Sequence, residues 1–248
     1  MTPTTLATNH DLWMVALSFL VSTCGAYAAL WITSTLRATA QGRLSKLNVL
    51  LAGAALGGVS IWSMHFLGMI AFQVPTGVGY DPLPTFVSLV AAIAVSSLAL
   101  GYMAAKPFAF SRLLVAGPLA GLGVAVMHYM GMYGMRFGGY FEWAPMLVGA
   151  SLVIAVVAAT AALWLAFHTR GQLNRIAAAI VMGVAVCSMH YTGMAAASLI
   201  CTTNVVSMNG LMNPGDLSIF VVLIGFGLLA MIVVDTLVQR THARTRTA

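Results

Sequence analysis

The stretch LNVLLAGAALGGVSIWSMHFLGMIAF, residues 47–72, is long and apolar enough to cross a membrane as one helix. About 20 predominantly apolar residues suffice for a crossing, and this run lacks the strict alternation of a membrane β-strand. It contains no charged side chain, but one histidine, His65, stands near its end. The stretch therefore predicts a transmembrane helix that carries an imidazole at a defined depth.

The whole chain has the same apolar character. Of its 248 residues, 60% are hydrophobic and 6% are charged, and the mean hydropathy is +0.96. An ordinary soluble domain carries about 25% charged residues. This composition excludes a soluble enzyme, a nucleic-acid-binding domain and a disordered protein, and it predicts an all-α polytopic helix bundle in a lipid bilayer.

Seven apolar runs are long enough to be membrane spans. We predict a single domain over residues 1–248, built from three helix hairpins at about 12–75, 84–138 and 145–203 and a seventh helix at about 216–239. The predicted spans cover residues 12–36, 47–72, 84–105, 113–135, 145–167, 176–200 and 217–239.

The distribution of basic residues predicts the orientation. Ten Lys and Arg residues, among them Arg43, Lys106 and Arg246, follow spans 1, 3, 5 and 7, whereas only Arg136 lies on the opposite side. Short cytoplasmic loops carry the excess of basic residues in membrane proteins. We therefore expect a multi-pass protein of the bacterial inner membrane, with its N-terminus outside and its C-terminus inside. Because every loop is short, a cytoplasmic signalling partner would be a separate chain.

One motif closes spans 2, 4 and 6. Its copies are SMHFLGM at 63–69, VMHYMGM at 126–132 and SMHYTGM at 188–194. Because the three spans run in the same direction, their histidines are expected at one depth, on the order of 10–15 Å below the outer surface at about 1.5 Å per residue. Polar groups at such a depth usually face the bundle interior. We therefore predict that His65, His128 and His190 converge.

The motif methionines extend this candidate site. On a helix, the methionine four positions after each histidine shares its face, while the preceding methionine points about 100° away. A kink or unwinding near Gly68, Gly131 and Gly193 could turn both methionines of a motif toward its histidine. Imidazole and thioether together suit copper, whereas carboxylates for harder ions and a repeated cysteine for zinc are absent at this depth. The ligand candidates, in order of preference, are His65, His128, His190, Met69, Met132, Met194, Met64, Met127 and Met189.

Three further side chains lie close to the motif histidines in sequence. Tyr129 and Tyr191 follow two of them and could donate hydrogen bonds to a ligand, and Cys187 lies three residues before His190. Each also has an interpretation as simple packing. A purely structural role stays open for the whole motif, because methionine commonly fills apolar cores and duplication copies structural motifs too.

The segment M-H-Y-T at 189–192, with its variants M-H-Y-M and M-H-F-L, resembles the motif of the MHYT family of bacterial integral-membrane sensor domains. The resemblance covers most of the chain and implies a copper centre near the outer face that detects a diatomic gas such as O₂, CO or NO. The family's Met–His pair corresponds to the three histidines and the methionines before them. Its tyrosine corresponds only to Tyr129 and Tyr191, since residue 66 is Phe, and its threonine only to Thr192. Members are often fused to cyclic di-GMP enzymes or kinases.

Three functions remain open at this point. The first is a sensor whose copper site detects a gas or a redox change and signals through helix packing. The second is a copper carrier or metal-insertion factor for a respiratory enzyme, which would use the same soft ligands. The third is a b-haem protein with two histidines on the iron, which is less favoured because such a haem needs apolar room. An enzyme is not expected, since no intramembrane carboxylate pair or phosphate loop is visible.

Overall fold

A computed structural model of the chain describes residues 4–5, 9–38, 44–75, 77–202, 207 and 209–245. Two basic residues that contribute to the predicted orientation, Arg43 and Arg246, lie outside the described residues, as does residue 203, the predicted end of the third hairpin. Within the described part of the chain, seven helical segments are long and apolar enough to cross a membrane. This confirms the predicted helical membrane bundle.

The second span is not a uniform α-helix. Its first and last parts are α-helical, but residues Ala54–Ser63 between them form a π-helical segment that ends at the first residue of the first motif copy. π-Helical turns are rare and are frequently found at functional sites. The α-helices are α1 (Leu12–Ala38), α2 (Lys46–Gly53), α3 (Met64–Ala71), α4 (Pro82–Ala104), α5 (Phe110–Tyr133), α6 (Pro145–His168), α7 (Gln172–Ala195) and α8 (Pro214–Thr245).

Capping residues set where two of the helices begin. The Asp81 side chain accepts a hydrogen bond from the backbone N–H of Leu83 at 3.1 Å, and a proline occupies the first position of α4. Both features favour a helix start, so α4 begins two residues before the predicted span. The Ser45 hydroxyl caps α2 in the same way, accepting from the backbone N–H of Asn48 at 3.3 Å.

Short strands cover the outer ends of the helices that carry the motif. The predicted sixth span reaches residue 200, but α7 ends at Ala195 and the chain continues as a strand. The apolar pattern continues past the helix end, so it did not predict this change. The strands are β1 (Thr4–Thr5), β2 (Asn9–His10), β3 (Phe72–Gln73), β4 (Gly79–Tyr80), β5 (Met135–Arg136), β6 (Gly139–Trp143) and β7 (Ala197–Cys201).

Among the described residues, the strands form three small antiparallel sheets. β7 lies between β1 and β6, β2 pairs with β3, and β4 pairs with β5. These pairings supply partners for backbone N–H and C=O groups that leave the helices at the membrane surface. The result is a cover of paired strands over one end of the bundle, on the side where α3, α5 and α7 end.

The second span lies at the centre of the bundle. Its most apolar 18-residue window is 83% buried, whereas the corresponding windows of the other six spans are 17–39% buried. A Cβ at Gly57 would overlap the backbone carbonyl of Ala92 on α4, and one at Gly25 of α1 would overlap the backbone of Ser60. Such close approach through small residues is how membrane helices pack. The helix that carries His65 is therefore enclosed by its neighbours.

Candidate metal centre

The three motif histidines meet at one point inside the bundle. His65 lies on α3, His128 on α5 and His190 on α7, and each is only 1% exposed. The Nδ1 atom of His65 lies 3.1 Å from that of His190 and 3.1 Å from that of His128, and the third pair is 3.3 Å apart. The rings stand edge to face, with interplanar angles between 74° and 88°. We call this group the histidine triad.

Hydrogen bonds between the imidazoles cannot satisfy all three close pairs. Each bond needs one Nδ1 that carries a proton and one that presents a lone pair. Around a ring of three atoms, no distribution of protons gives a donor and an acceptor in every pair. At least one pair must therefore bring two protons or two lone pairs together, which is costly in a buried site. A cation at the centre would receive three lone pairs at once.

The size of the triad fits a metal ion. The point equidistant from the three Nδ1 atoms lies about 1.8 Å from each, close to the metal–imidazole bond length of about 2.0 Å. Among the described residues, the histidine triad is the group of His, Cys, Asp or Glu side chains placed to hold a metal ion. No carboxylate belongs to this group. The donor set is three neutral nitrogens, which suits copper or zinc better than Mg²⁺ or Ca²⁺.

Each imidazole of the triad rests on a motif glycine of another repeat. A Cβ at Gly131 would overlap Nε2 of His65, and Gly193 stands in the same relation to His128. Gly68 completes the cycle, because its Cβ would overlap Nε2 of His190. The first histidine thus packs on the second repeat, the second on the third, and the third on the first. The glycine three positions after each histidine therefore provides room for a ring from a neighbouring helix.

The helices do not unwind at the motif glycines, so the unwinding that could bring both methionines of a motif to the histidine is not seen. α3, α5 and α7 each continue as α-helix through Gly68, Gly131 and Gly193. The glycines are therefore needed for the absence of a side chain, not for a bend. The recurrence of glycine at the same offset in all three copies was the sequence signal for this role.

The triad also lies nearer to the helix ends than predicted. The histidines are six, five and five residues before the last residues of α3, α5 and α7. At about 1.5 Å per residue, that is about 8–9 Å below the helix ends. The difference arises because the chain after each motif turns into a strand. The strand cover, rather than further helical turns, separates the triad from the outer face.

All six motif methionines are buried, with at most 3% exposure. Met69, Met132 and Met194 belong to the main apolar core, and so does Met127. Met189 instead packs with Ala125 and Ala155 in a separate small cluster. Ligation by methionine sulfur, and the preference for the methionine after each histidine, stay predictions.

An aromatic ring follows each histidine of the triad and contacts it edge-on. Phe66, Tyr129 and Tyr191 lie 4.7–4.9 Å from the adjacent imidazole, centroid to centroid. The two tyrosine hydroxyls pair with serines on neighbouring helices: Tyr129 with Ser151 at 2.6 Å and Tyr191 with Ser18 at 3.1 Å. Each hydroxyl therefore already has a partner, and a hydrogen bond from either to a bound ligand stays a prediction.

Cys187 is half-buried on the same helix as His190, but it does not belong to the group of side chains that could hold a metal ion. A role for it in the site therefore stays a prediction.

An apolar cavity of about 50 Å³ lies among the helices next to the motif of the third repeat. Met189, which precedes His190, is part of its wall, and alanines of α6 such as Ala158 and Ala162 line the opposite side. Small cavities with apolar walls stay dry and can take up small apolar molecules. The cavity therefore offers space for a small apolar molecule, with Met189 of the third motif in its wall.

The sequence did not identify His10 as part of this region and gave it no motif. Its ring lies 5.2 Å from that of Phe72 and 5.8 Å from that of Tyr191, centroid to centroid. Burial lowers the pKa of the His10 imidazole, and its Nε2 atom is buried without a hydrogen-bond partner. His10 is thus a neutral imidazole one aromatic ring away from His190.

The family model and the relatives that match the chain agree on one family of proteins. The chain matches the MHYT repeat, described as a bacterial signalling protein N-terminal repeat, at residues 58–116, 121–179 and 183–247. It is 37% identical over 246 residues to the bifunctional diguanylate cyclase/cyclic di-GMP phosphodiesterase MucR of Pseudomonas aeruginosa. The matched region covers 97% of this chain and 36% of MucR. No solved structure matches the chain.

Two further relatives are signalling proteins. The cyclic di-GMP phosphodiesterase NbdA of Pseudomonas aeruginosa is 36% identical over 191 residues, covering 74% of this chain and 24% of NbdA. The signaling protein YkoW of Bacillus subtilis is 28% identical over 198 residues, covering 77% of this chain and 24% of YkoW. The chain therefore spans about a third or less of the length of the curated relatives named here.

Proposed function

The chain belongs to the MHYT family of bacterial signalling proteins, and we propose that it is a membrane sensor whose histidine triad binds copper near the outer face. It is a multi-pass protein of the bacterial inner membrane. The observation that carries the proposal is the triangle of Nδ1 atoms, 3.1–3.3 Å on a side, in a buried site. Without a cation, at least one of the three close Nδ1 pairs would lack a hydrogen bond in this buried site, which is destabilising.

The chemistry of the site favours copper among the metals that imidazole binds. His65, His128 and His190 would hold the ion, and sulfur from Met69, Met132 and Met194 or from the preceding methionines would add soft ligands. Copper would supply a change of oxidation state or an open position for O₂, CO or NO. An apolar cavity with Met189 in its wall supports the proposal of a gas ligand, because it has room for a small apolar molecule beside the third motif.

The close packing of the triad imidazoles favours a single metal ion over a b-type haem. Two histidines on opposite faces of a porphyrin must leave room for the macrocycle between their rings. Here the imidazole centroids are 4.9–5.2 Å apart and the Nδ1 atoms of every pair are in contact. A single ion fits this space better than a macrocycle does.

A row of aromatic rings connects the triad to the last helix. His65 contacts Phe66 at 4.7 Å, Phe66 contacts Trp62 at 4.8 Å, and Trp62 contacts Phe220 of α8 at 6.0 Å, measured between centroids. A movement of His65 would therefore press on α8 through packed side chains. Among the motif histidines, His65 lies two residues after the π-helical segment Ala54–Ser63, a kind of backbone that is frequent at functional sites.

We further propose that residues 1–248 form one sensory unit of three helix hairpins and a seventh helix. Its output would be a cytoplasmic partner that makes or breaks down cyclic di-GMP, as the names of MucR and NbdA indicate for those proteins. The chain itself would not be the enzyme. The row of aromatic rings from His65 to Phe220 makes α8 the candidate contact with this partner.

Metal analysis of the purified full chain tests the proposal. After loading with Cu(I), we expect one copper ion per chain in the unchanged protein. Replacing His65, His128 and His190 together with Ala should remove it. His168→Ala is the matched control, because His168 stacks on Trp164 outside the triad. A copper content that survives the triple change would overturn the proposal.

A further inference from the structure

The motif aromatics differ in what lies against them. Phe66 contacts Trp62 at 4.8 Å and Tyr129 contacts Trp143 at 5.4 Å, so indole rings pack on two of the three. In the third repeat, Tyr191 contacts the imidazole of His10 instead, at 5.8 Å. The aromatic ring of the third repeat is therefore the one that has a potential metal ligand, rather than an indole, packed against it.

The backbone holds His10 firmly at this position. His10 pairs with Phe72 in the β2–β3 ladder, and the backbone N–H of Asp11 donates to the carbonyl of Ala71 at 2.8 Å. The first turn of α1 is capped by the Asp11 carboxylate, which accepts from the backbone N–H of Trp13 at 2.9 Å. These bonds fix the His10 ring beside the end of α3, on the side of the bundle that carries the strand cover.

The imidazole of His10 has a buried nitrogen atom that is available to bind a metal ion. Its Nε2 atom is buried and has no hydrogen-bond partner among the described residues, although a buried nitrogen without a partner costs free energy. Because burial lowers the pKa of this imidazole, its neutral form, with a lone pair, predominates at neutral pH. Neutral imidazole is the commonest metal ligand in proteins. Packing on Phe72 and Tyr191 alone would be served as well by a phenyl ring.

We propose that His10 is a transient metal ligand through which the ion passes between the outer face and the histidine triad. This inference rests on the proposed copper site. In the transfer, the coordinate bond from the His10 imidazole breaks, the ion moves past Tyr191, and coordinate bonds to the triad form. The oxidation state of the ion does not change, and no proton is released because a neutral imidazole binds through its lone pair. Tyr191 contacts both His10 and His190 and so marks the position at which the ion passes.

A relay ligand makes a specific kinetic prediction. It lowers the barrier for loading and for release equally, because both directions pass through the same bound state. The dissociation constant, which is the ratio of the two rates, therefore does not depend on it. A structural ligand of the final site would instead change the dissociation constant.

The experiment measures copper transfer to and from the purified full chain. Cu(I) is supplied from a chelator buffer and then withdrawn by a stronger chelator, and both rates are followed in the unchanged protein, in His10→Phe and in His10→Ala. His10→Phe keeps a ring against Phe72 and Tyr191 but removes both nitrogens. His168→Phe is the control, because it makes the same change at a histidine outside this region.

We expect both rates to fall by about tenfold or more in the two His10 variants, with the final copper content and dissociation constant unchanged. Rates in His10→Phe equal to those of the unchanged protein would overturn the inference and leave the proposed copper site intact. A lower affinity with faster release would overturn it as well, since His10 would then belong to the final site. Failure of the unchanged protein to bind copper would overturn both proposals.

Discussion

Nε2 of His65 occupies the space that a side chain at Gly131 would need, although the two residues belong to different repeats. The same relation links His128 to Gly193 and His190 to Gly68. The motif histidine of one repeat therefore packs on the motif glycine of another repeat, and not on the glycine of its own repeat. Each imidazole is therefore held in place only when its own helix packs against the helix that carries the partner glycine.

A methyl group at Gly131 tests this contact. Gly131→Ala should displace the ring of His65 and weaken copper binding by about 10–100-fold, the usual effect of disturbing the groups that orient metal ligands. Competition with a Cu(I) chelator measures the change. Gly149→Ala is the control, because a Cβ at this helical glycine meets nothing within 4 Å. An unchanged dissociation constant in Gly131→Ala would show that the ring position is not important for binding.

The main features of the fold and the triad followed from the sequence. Span length, the basic inner loops and the three equally directed motif helices were sufficient to predict that the histidines of the motif lie at one depth and face inward. These features depend on hydropathy and helical periodicity, which are local properties of the chain. The prediction of the triad needed only the additional rule that intramembrane polar groups avoid lipid.

Other features depend on contacts between distant segments, which periodicity does not record. The strand cover forms because residues such as Ala197–Cys201 pair with Gly139–Trp143. Taken alone, the apolar sequence of this segment is equally compatible with a continued helix. The fit of His65 on Gly131 and the position of His10 beside Tyr191 depend likewise on tertiary packing. The motif copies showed which residues recur, but not which copies touch.

The hydroxyls of the motif tyrosines should matter for stability more than for metal binding. Tyr129→Phe removes the bond to Ser151, which is 2.6 Å long and lies in a largely buried site. We expect a loss of about 0.5–1.5 kcal/mol in the free energy of unfolding, with copper affinity unchanged, since the first repeat already has Phe66 at this position. Thermal unfolding in detergent and chelator competition measure the two quantities. Tyr140→Phe, at an exposed tyrosine, is the control; a loss of copper affinity in Tyr129→Phe would contradict this expectation.

Coupling between the triad and α8 should depend on the contact of Phe220 with Trp62. We expect copper loading to change hydrogen exchange in residues 217–230 of the unchanged protein, because the aromatic row transmits displacement of His65. Phe220→Ala should abolish that change without altering copper content. Phe226→Ala is the matched control, since Phe226 lies on the same helix and is 71% exposed. Persistence of the change in Phe220→Ala would mean that the signal takes another route.

Filling the apolar cavity should block the access of small gases without affecting the metal. The cavity of about 50 Å³ is bordered by Ala158 on α6 and Met189 on α7, and Ala158→Leu would place three further carbon atoms in it. Xenon is a suitable probe because it enters small apolar cavities and needs no metal. We expect saturable xenon binding, followed by xenon chemical shift, in the unchanged protein and in the lipid-facing control Ala161→Leu, but not in Ala158→Leu. Copper content should be equal in all three. Saturable binding that persists in Ala158→Leu would show that xenon occupies another place, and the cavity would then lose its role in gas detection.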